Sequence, residues 1–310
     1  MTRRFNRIVI ALIVLIGLPY YWLLLDNRPG DAQPKPVSIE QLRALAASIP
    51  GQAPSEVRME QSAWRRVPGT LFAAGSGIKR RRIAIMAWQL PVPGGKPIMI
   101  DSGITPEASE AMQLEGFLPD IQQRIDTAID GAGLVLITHE HPDHLGPLAA
   151  RGGAPLAQAA RLNPDQLPSA RLAGTLAWKD AGTLTARIKP GGPQAVAPGV
   201  VVIPAPSHTP GSQMIFVRLG SGREYLFAGD IATMEVSWQE LRARSRLVGD
   251  WLAPENRAEV YAWLRTIQAL KAAAPDLVVL PGHDLEAVMA KNARTGVIRA
   301  FLGHQPPEAN

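Results

Sequence analysis

Three histidines and two carboxylates lie within residues 138–144, whose sequence is T-H-E-H-P-D-H, although the chain has only six histidines in all. Neutral imidazole and carboxylate groups are suitable ligands for a borderline cation such as Zn²⁺. His139 and His141, two residues apart on an extended turn, can point the same way. Asp143 and His144 begin the next turn, a plausible helix start, and can face a second cation. The spacing therefore favours a site that holds metal.

Other polar residues follow apolar runs typical of strands. These are Asp101 after residues 98–100, His208 after 200–203, Asp230 after 225–228 and His283 after 277–280. Loops at the ends of strands converge at one edge of an α/β sheet, so we expect these side chains to meet the histidine-rich segment there. Five of the six histidines fall in such positions. The sixth, His304, lies in a polar, proline-containing tail, and we expect it to be solvated.

In this order the residues resemble the motifs of the metallo-β-lactamase superfamily, and most closely its glyoxalase II and lactonase branch. The family pattern H-x-H-x-D-H, followed by a His, a bridging Asp and a final His, is met by His139, His141, Asp143, His144, His208, Asp230 and His283. The resemblance covers roughly residues 64–304. It implies an α/β fold, the four-layer αββα sandwich, here preceded by one N-terminal transmembrane helix.

The resemblance also implies how the ligands divide between two Zn²⁺ ions, in whose place other divalent metals such as iron or manganese can bind. His139, His141 and His208 would hold the first ion, Asp143, His144 and His283 the second, and Asp230 would bridge them. Asp101 matches the Asp of the family's first motif, which supports the loops around the metal. It is the one residue we name behind the ligands.

The chemistry implied is hydrolysis of a small molecule. Two ions that share a water lower its pKa toward neutrality and polarise the bond under attack. The nucleophile would be a metal-bridging hydroxide, oriented by Asp143 as the catalytic acid–base residue. We expect an ester, lactone, thioester or similar acyl bond to be cleaved. The alternatives are a phosphodiesterase of the same fold and an iron-dependent oxidoreductase of the superfamily.

Three positions bear on the substrate. Zinc β-lactamases carry Cys or Ser at the bridging position, so Asp230 argues against penicillin hydrolysis. Thr233 stands where quorum-quenching lactonases resemble one another in carrying Tyr, and Leu285 where a glutathione-thioester hydrolase would carry Tyr. His141 stands where the diiron flavoproteins have Glu, which argues against that redox branch. The acyl substrate itself stays open.

Composition limits the other classes of function. With 310 residues, 46% hydrophobic and 19% charged, the chain can fold as a globular domain. The net charge of +5 is concentrated in Arg3, Arg4 and Arg7 and in residues 79–82. Such local charge does not indicate a nucleic acid partner. The absence of cysteine excludes disulfides and thiolate ligands and is compatible with an oxidising compartment.

The N-terminus predicts a membrane location. Residues 8–25 carry no charge and would span about 27 Å as a helix, at roughly 1.5 Å per residue, close to the hydrocarbon thickness. Aromatic residues 20–22 suit the interface at the far end, and the arginines before the segment favour a cytoplasmic N-terminus. We therefore expect a single-pass anchor in the cytoplasmic membrane with a periplasmic catalytic domain. The alternative is an exported chain from which the segment is cleaved.

The pattern along the chain predicts three parts. Residues 1–28 form the anchor and residues 29–63 a linker with a short helix, which Ser38 begins and which ends near Ser48. Residues 64–310 form the hydrolase domain. Its strands include residues 82–90, 98–100, 134–137, 200–203, 214–219, 225–227 and 277–280, and its helices residues 118–128 and 254–273. At least two of Trp238, Trp251 and Trp263 are expected to pack in the core.

Overall fold

Eleven strands form two sheets in the part of the chain that this computed structural model describes, residues 2–290 and 294–305. The strands are β1 (Arg58–Pro68), β2 (Arg80–Leu90), β3 (Ile98–Ile100), β4 (Gly116–Phe117), β5 (Leu134–Leu136), β6 (Ala160–Arg161), β7 (Gln194–Ala197), β8 (Val200–Pro204), β9 (Gln213–Arg218), β10 (Glu224–Gly229) and β11 (Val278–Pro281). The first sheet has the order β4-β1-β2-β3-β5-β6 and the second β11-β10-β9-β8-β7. Both are mixed, since β3, β5 and β6 run parallel, as do β10 and β11.

The two sheets pack face to face because their strands carry apolar side chains on both faces. In β8, Val200 and Val202 join the core between the sheets, whereas Val201 and Ile203 join the core under the outer helices. This alternation is the period of two that a strand imposes on its side chains. A strand with apolar residues at every position must be covered on both faces, and each sheet therefore needs a helical layer outside it.

Helices that pack on the sheets supply those outer layers. The helices of the described residues are Arg3–Leu12, Leu18–Tyr20, Ile39–Ala46, Gly69–Phe72, Pro106–Ala111, Pro119–Asp130, Pro142–Arg151, Gly153–Leu156, Glu235–Gln239, Arg257–Ala273 and Leu285–Met289, with π-helical turns at Ile13–Gly17, Tyr21–Leu25 and Leu247–Leu252 and 3₁₀ turns at Pro164–Gln166, Ala181–Thr183 and Asp230–Ala232. Helices Pro119–Asp130 and Pro142–Arg151 pack on the first sheet. Helices Ile39–Ala46 and Arg257–Ala273 pack on the second. The predicted four-layer αββα arrangement is confirmed.

The apolar segment at the N-terminus is helical, as predicted. Arg3–Leu25 forms one helical segment of 23 residues that is long and apolar enough to cross a membrane, and it is not buried in the fold. A signal sequence passes the same test of length and composition. The segment is therefore a candidate transmembrane span.

The segment between the apolar helix and the sheets is packed onto the domain. The Ser38 hydroxyl accepts a hydrogen bond from Gln41 N and begins helix Ile39–Ala46, as predicted. Ile39 and Leu42 are buried in the core outside the second sheet. Strand β1 starts upstream of the predicted boundary at residue 64. We propose that residues 29–63 fold together with the hydrolase domain.

Candidate metal centre

The polar residues that the sequence placed after strands do meet at one edge of the sandwich. His139 follows β5, Asp230 follows β10 and His283 follows β11, while His208 lies in the loop between β8 and β9. Asp143 lies in the first turn of helix Pro142–Arg151, which begins right after the histidine-rich segment. The sheets and this helix therefore bring all seven predicted ligands together.

Two adjacent groups of donor atoms result. The first comprises His139, His141, His208 and Asp230, and the second Asp143, His144 and His283; within each group the donor atoms lie within 4.8 Å of one another. In the first, His141 Nδ1 is 3.0 Å from His139 Nε2 and 3.1 Å from His208 Nε2. In the second, His283 Nε2 is 3.3 Å from His144 Nε2 and 3.4 Å from an Asp143 carboxylate oxygen.

Asp230 lies between the groups. One of its carboxylate oxygens, Oδ2, is 3.7 Å from His208 Nε2. The other, Oδ1, is 3.0 Å from His283 Nε2. This arrangement suits a carboxylate that serves two cations at once.

The donor set fits metal ions on two observations. His141 Nδ1 lies against a ring nitrogen of both His139 and His208, and one shared proton cannot satisfy both contacts. Ligands at about 2.0–2.1 Å around a tetrahedral ion lie roughly 3.3 Å apart, near the separations seen here. Asp230 Oδ1 is buried and accepts no hydrogen bond, although a buried carboxylate oxygen without a partner is costly. A cation among these atoms would remove both costs.

Protonation differs between the two groups. Burial lowers the pKa of His139 and His208 well below the usual value and that of His141 to about 4. The first group therefore presents neutral rings, the form that coordinates cations. Burial also acts to lower the pKa of His144, but the carboxylates of Asp101 and Asp143 raise it to about 9. A cation that binds the second group must displace this proton.

Two glycines allow the close approach of the loops. Gly229 has a φ of 52°, and a Cβ there would lie 2.9 Å from the Thr138 Cβ atom. A Cβ at Gly282 would lie 2.3 Å from Asp230 Oδ1. Both positions need a residue without a side chain, because a larger one would push the ligand loops apart.

Asp101 lies behind the ligands, where the sequence predicted a supporting carboxylate. Its Oδ2 is 2.9 Å from His144 Nδ1, and its Oδ1 accepts a hydrogen bond of 2.7 Å from Thr138 N. These contacts fix the ring of His144 with Nε2 toward the site and tie it to the start of the histidine-rich segment.

Two further residues, which the sequence did not predict, contact the donor groups. The Glu255 side chain is 1% exposed and its Oε2 lies 3.0 Å from His208 Nδ1. Burial raises the pKa of Glu255 to about 7. Arg244 donates from Nη2 to Asp230 Oδ2 and from Nε to Thr233 Oγ1 at 3.2 Å. No motif marks either residue. Both lie before the observed helix Arg257–Ala273, although the predicted helix, residues 254–273, had included Glu255.

Glu140, a member of the histidine-rich segment, has a different position from its neighbours. Its Oε2 accepts a hydrogen bond of 2.6 Å from Thr209 Oγ1, and its Oε1 one of 3.1 Å from Gly211 N. Alternate residues of an extended turn point to opposite sides, so Glu140 faces away from the rings of His139 and His141. It ties this segment to the loop that carries His208.

We predict that Glu255→Gln weakens zinc binding about 10- to 100-fold, the usual cost of losing the group that orients a ligand imidazole. An amide cannot match the charge of the carboxylate next to His208 Nδ1. Competition with a chromophoric chelator measures the effect. Glu259→Gln is the matched control, because Glu259 pairs with Lys35 on the outer surface. Equal zinc affinity of the Glu255 variant and the unchanged chain would contradict this role.

Known proteins share the family sequence pattern and the fold of this chain. The model of the metallo-beta-lactamase superfamily matches residues 90–283. A search of curated proteins gave no significant match. Among solved structures, a quorum-quenching N-acyl homoserine lactone lactonase is 17% identical over 79% of this chain and 98% of its own, with a TM-score of 0.59.

Two further structures share the fold. A probable metal-dependent hydrolase from Staphylococcus aureus is 14% identical, with 75% of this chain and 91% of its own covered and a TM-score of 0.55. A dizinc quorum-quenching lactonase in complex with a product is 13% identical, with 77% and 91% covered and a TM-score of 0.51. At these identities the structures show the fold, and the sequence match shows the family. The chain belongs to the metallo-β-lactamase superfamily.

Proposed function

We propose that the chain is a dinuclear zinc hydrolase that cleaves an acyl bond of a small molecule, in an ester, a lactone or a thioester. The observation that carries the proposal is the pair of donor groups joined by Asp230. Similarity in fold to lactonases, one of them described as dizinc, supports it. The absence of Cys or Ser at the bridging position favours this branch over penicillin hydrolysis.

Two residues of the chain, Asp143 and Arg244, have separate roles in the proposed reaction. The ions, when bound, supply a water of lowered pKa and polarise the acyl carbonyl. Asp143 is 6% exposed, more than His144 and His283, the other two members of the second group. It accepts the proton of the attacking water and hands it to the leaving group. Arg244 holds Asp230 in its anionic form by a charged hydrogen bond.

Thr233 does not replace the tyrosine of the lactonases in function. Its side chain is 1% exposed, and its hydroxyl donates to the Asp230 carbonyl oxygen at 3.1 Å while it accepts from Arg244. Because the hydroxyl already donates its proton to this carbonyl, it cannot donate a hydrogen bond to a substrate. We therefore do not restrict the proposal to acyl homoserine lactones, and esters and thioesters stand beside lactones.

A substrate panel tests the proposal. Purified full-length chain loaded with zinc is mixed with esters, lactones, thioesters and phosphodiesters, and acid release is followed by pH-stat titration. We expect turnover of at least one acyl class and about two zinc ions per chain. Turnover of phosphodiesters alone would make the chain a phosphodiesterase. Bound iron together with oxygen consumption would make it an oxidoreductase.

We propose that the apolar helix is retained as an anchor and that the domain lies in the periplasm. Asp26, directly after the helix, is 1% exposed and pairs with Arg28 and Arg246. Cleavage beyond this residue would remove a buried partner of the domain. A reporter fused after Asn310 should be active only outside the cytoplasm, and the mature chain should keep its N-terminal mass. A cytoplasmic signal would exclude this orientation.

A further inference from the structure

The end of the apolar helix is fixed to the domain without a free linker. The Leu24 carbonyl accepts hydrogen bonds from Thr70 Oγ1 at 2.6 Å and from Gly75 N at 3.1 Å. Asp26 is buried, and its carbonyl accepts a hydrogen bond of 2.7 Å from Arg257 Nη2. If the helix spans a bilayer, the face of the domain around its end cannot swing away from the membrane surface.

Arg246 connects the helix end to a second loop of the domain. Its guanidinium lies 3.9 Å from the centre of the Trp22 ring and 3.0 Å from Asp26. It also pairs with Asp250 at 3.2 Å. Trp22 is in the part of the helix expected at the headgroup level. The residues that follow Asp250 are therefore held near the same level.

Large apolar side chains are exposed in the loops beside the end of the apolar helix. Trp251 and Leu252 are 73% and 72% exposed, and Ile78, in the turn that contacts Leu24 through Gly75, is 73% exposed. Scattered exposed apolar residues are common. Within the described residues outside the apolar helix, however, these three are the most exposed of the large apolar side chains. All three lie in the two loops that touch the helix end.

We propose that Ile78, Trp251 and Leu252 form a membrane-contacting surface that inserts into the interfacial layer of the bilayer holding the anchor. The inference rests on the proposed retention of the helix. Trp is favoured at this depth because its ring has an apolar body and a polar N–H group. Lys79, exposed next to Ile78, can reach lipid phosphates with its ammonium group.

The same segment leads to the metal centre. Arg257 donates from Nη1 to the Arg244 carbonyl, and the Arg244 guanidinium contacts Asp230. Two arginine side chains thus connect Asp26, at the membrane, with the bridging carboxylate. Because this face of the domain would lie against the bilayer, the substrate class that we infer, resting on the proposed acyl hydrolysis, is an amphiphilic acyl compound whose apolar chain lies in the bilayer.

Site-directed spin labelling tests the surface directly, because the chain contains no cysteine. Ile78→Cys, Trp251→Cys and Ser221→Cys in the full chain are labelled with a nitroxide and reconstituted into lipid nanodiscs. Ser221 is the control, since it is exposed in the turn before β10, at the end of that strand opposite Asp230. Collision rates with oxygen and with a water-soluble nickel complex are measured.

Labels at positions 78 and 251 should collide with oxygen more and with nickel at least about threefold less than the label at 221, because oxygen concentrates in lipid and nickel in water. Equal nickel accessibility at all three positions overturns the proposal. This readout needs no substrate, so it stands or fails separately from the proposed hydrolysis.

A kinetic experiment tests the substrate class. Trp251→Ser with Leu252→Ser should raise KM for a long-chain acyl ester presented in bilayers, by about tenfold, and leave KM for a short soluble ester unchanged, since only the former reaches the site from the membrane. An equal effect on both esters, or none on either, contradicts the membrane route. Absence of turnover of both esters by the unchanged chain would count against the acyl hydrolase proposal instead.

Discussion

Asp143→Ala is expected to lower kcat by at least about 100-fold, the low end of what a positioned acid or base contributes. The carboxylate lies 3.4 Å from His283 Nε2 and 3.7 Å from His144 Nε2, beside both donors of the second group. Of the two carboxylates among the predicted ligands, Asp230 is bonded to Arg244, and within the described residues Asp143 is not. Steady-state kinetics on the best acyl substrate, with zinc content determined in parallel, measures the effect.

The chain offers a matched control for this variant. Asp120 follows Pro119 at the start of its helix, as Asp143 follows Pro142, but Asp120 is exposed and belongs to neither donor group. The two residues interact with their helix dipoles in the same way. Asp120→Ala should therefore reproduce the small cost in helix stability and leave kcat unchanged. A similar fall in kcat for both variants would show that Asp143 acts through the helix and not through the reaction.

Asp143→Asn refines the same prediction. The amide keeps the size of the side chain but cannot accept a proton from water. If the proton transfer carries the effect, kcat should fall nearly as far as in the alanine variant. A variant that retains most of the wild-type kcat would assign Asp143 to metal binding alone.

The strands and the ligand loops could be predicted because their sequence signals are local. Each apolar run identified in the sequence forms a strand or most of one, as residues 200–203 do in β8. Trp263 is buried and Trp238 packs against the core outside the second sheet, as expected for two of the three tryptophans. The third, Trp251, is exposed, and its contacts depend on the position of the anchor.

The burial of the first strand was harder to predict. Strand β1 begins at Arg58, and its residues Glu60, Gln61 and Ser62 are polar but buried. Polar residues in a strand argue against burial unless partners are available. Glu60 accepts a hydrogen bond from Phe301 N at 3.3 Å, with Arg124 3.6 Å away. Those partners come from distant parts of the chain, which no local pattern reveals.

The same reason explains why Arg244 and Glu255 were missed. Each contacts a ligand that precedes it by a loop and a helix or more in the sequence. A charged residue in an irregular segment is exposed in most proteins, so its type alone carries little information. The predicted ligands lie in the segments that follow strands, and strand ends converge by the geometry of the sheet.

His283→Ala should reduce the bound zinc to about one ion per chain, because a ligand is lost from one group while the other stays intact. His283 donates from Nδ1 to the Ala84 carbonyl at 2.7 Å. Its Nε2 lone pair therefore faces the second group. His139, His141 and His208 do not contact this ring and keep their mutual positions.

His304→Ala is the control for that experiment. His304 is exposed near the end of the described residues, and its backbone N donates to the Phe301 carbonyl at 3.1 Å. We expect this variant to keep about two ions per chain and full activity, since a solvated imidazole on a terminal segment adds little to folding or binding. Zinc is counted by mass spectrometry of the native protein. If the His283 variant kept both ions while the His304 variant lost one, the last ligand would be His304, and the loop after β11 would serve only to pack against β2.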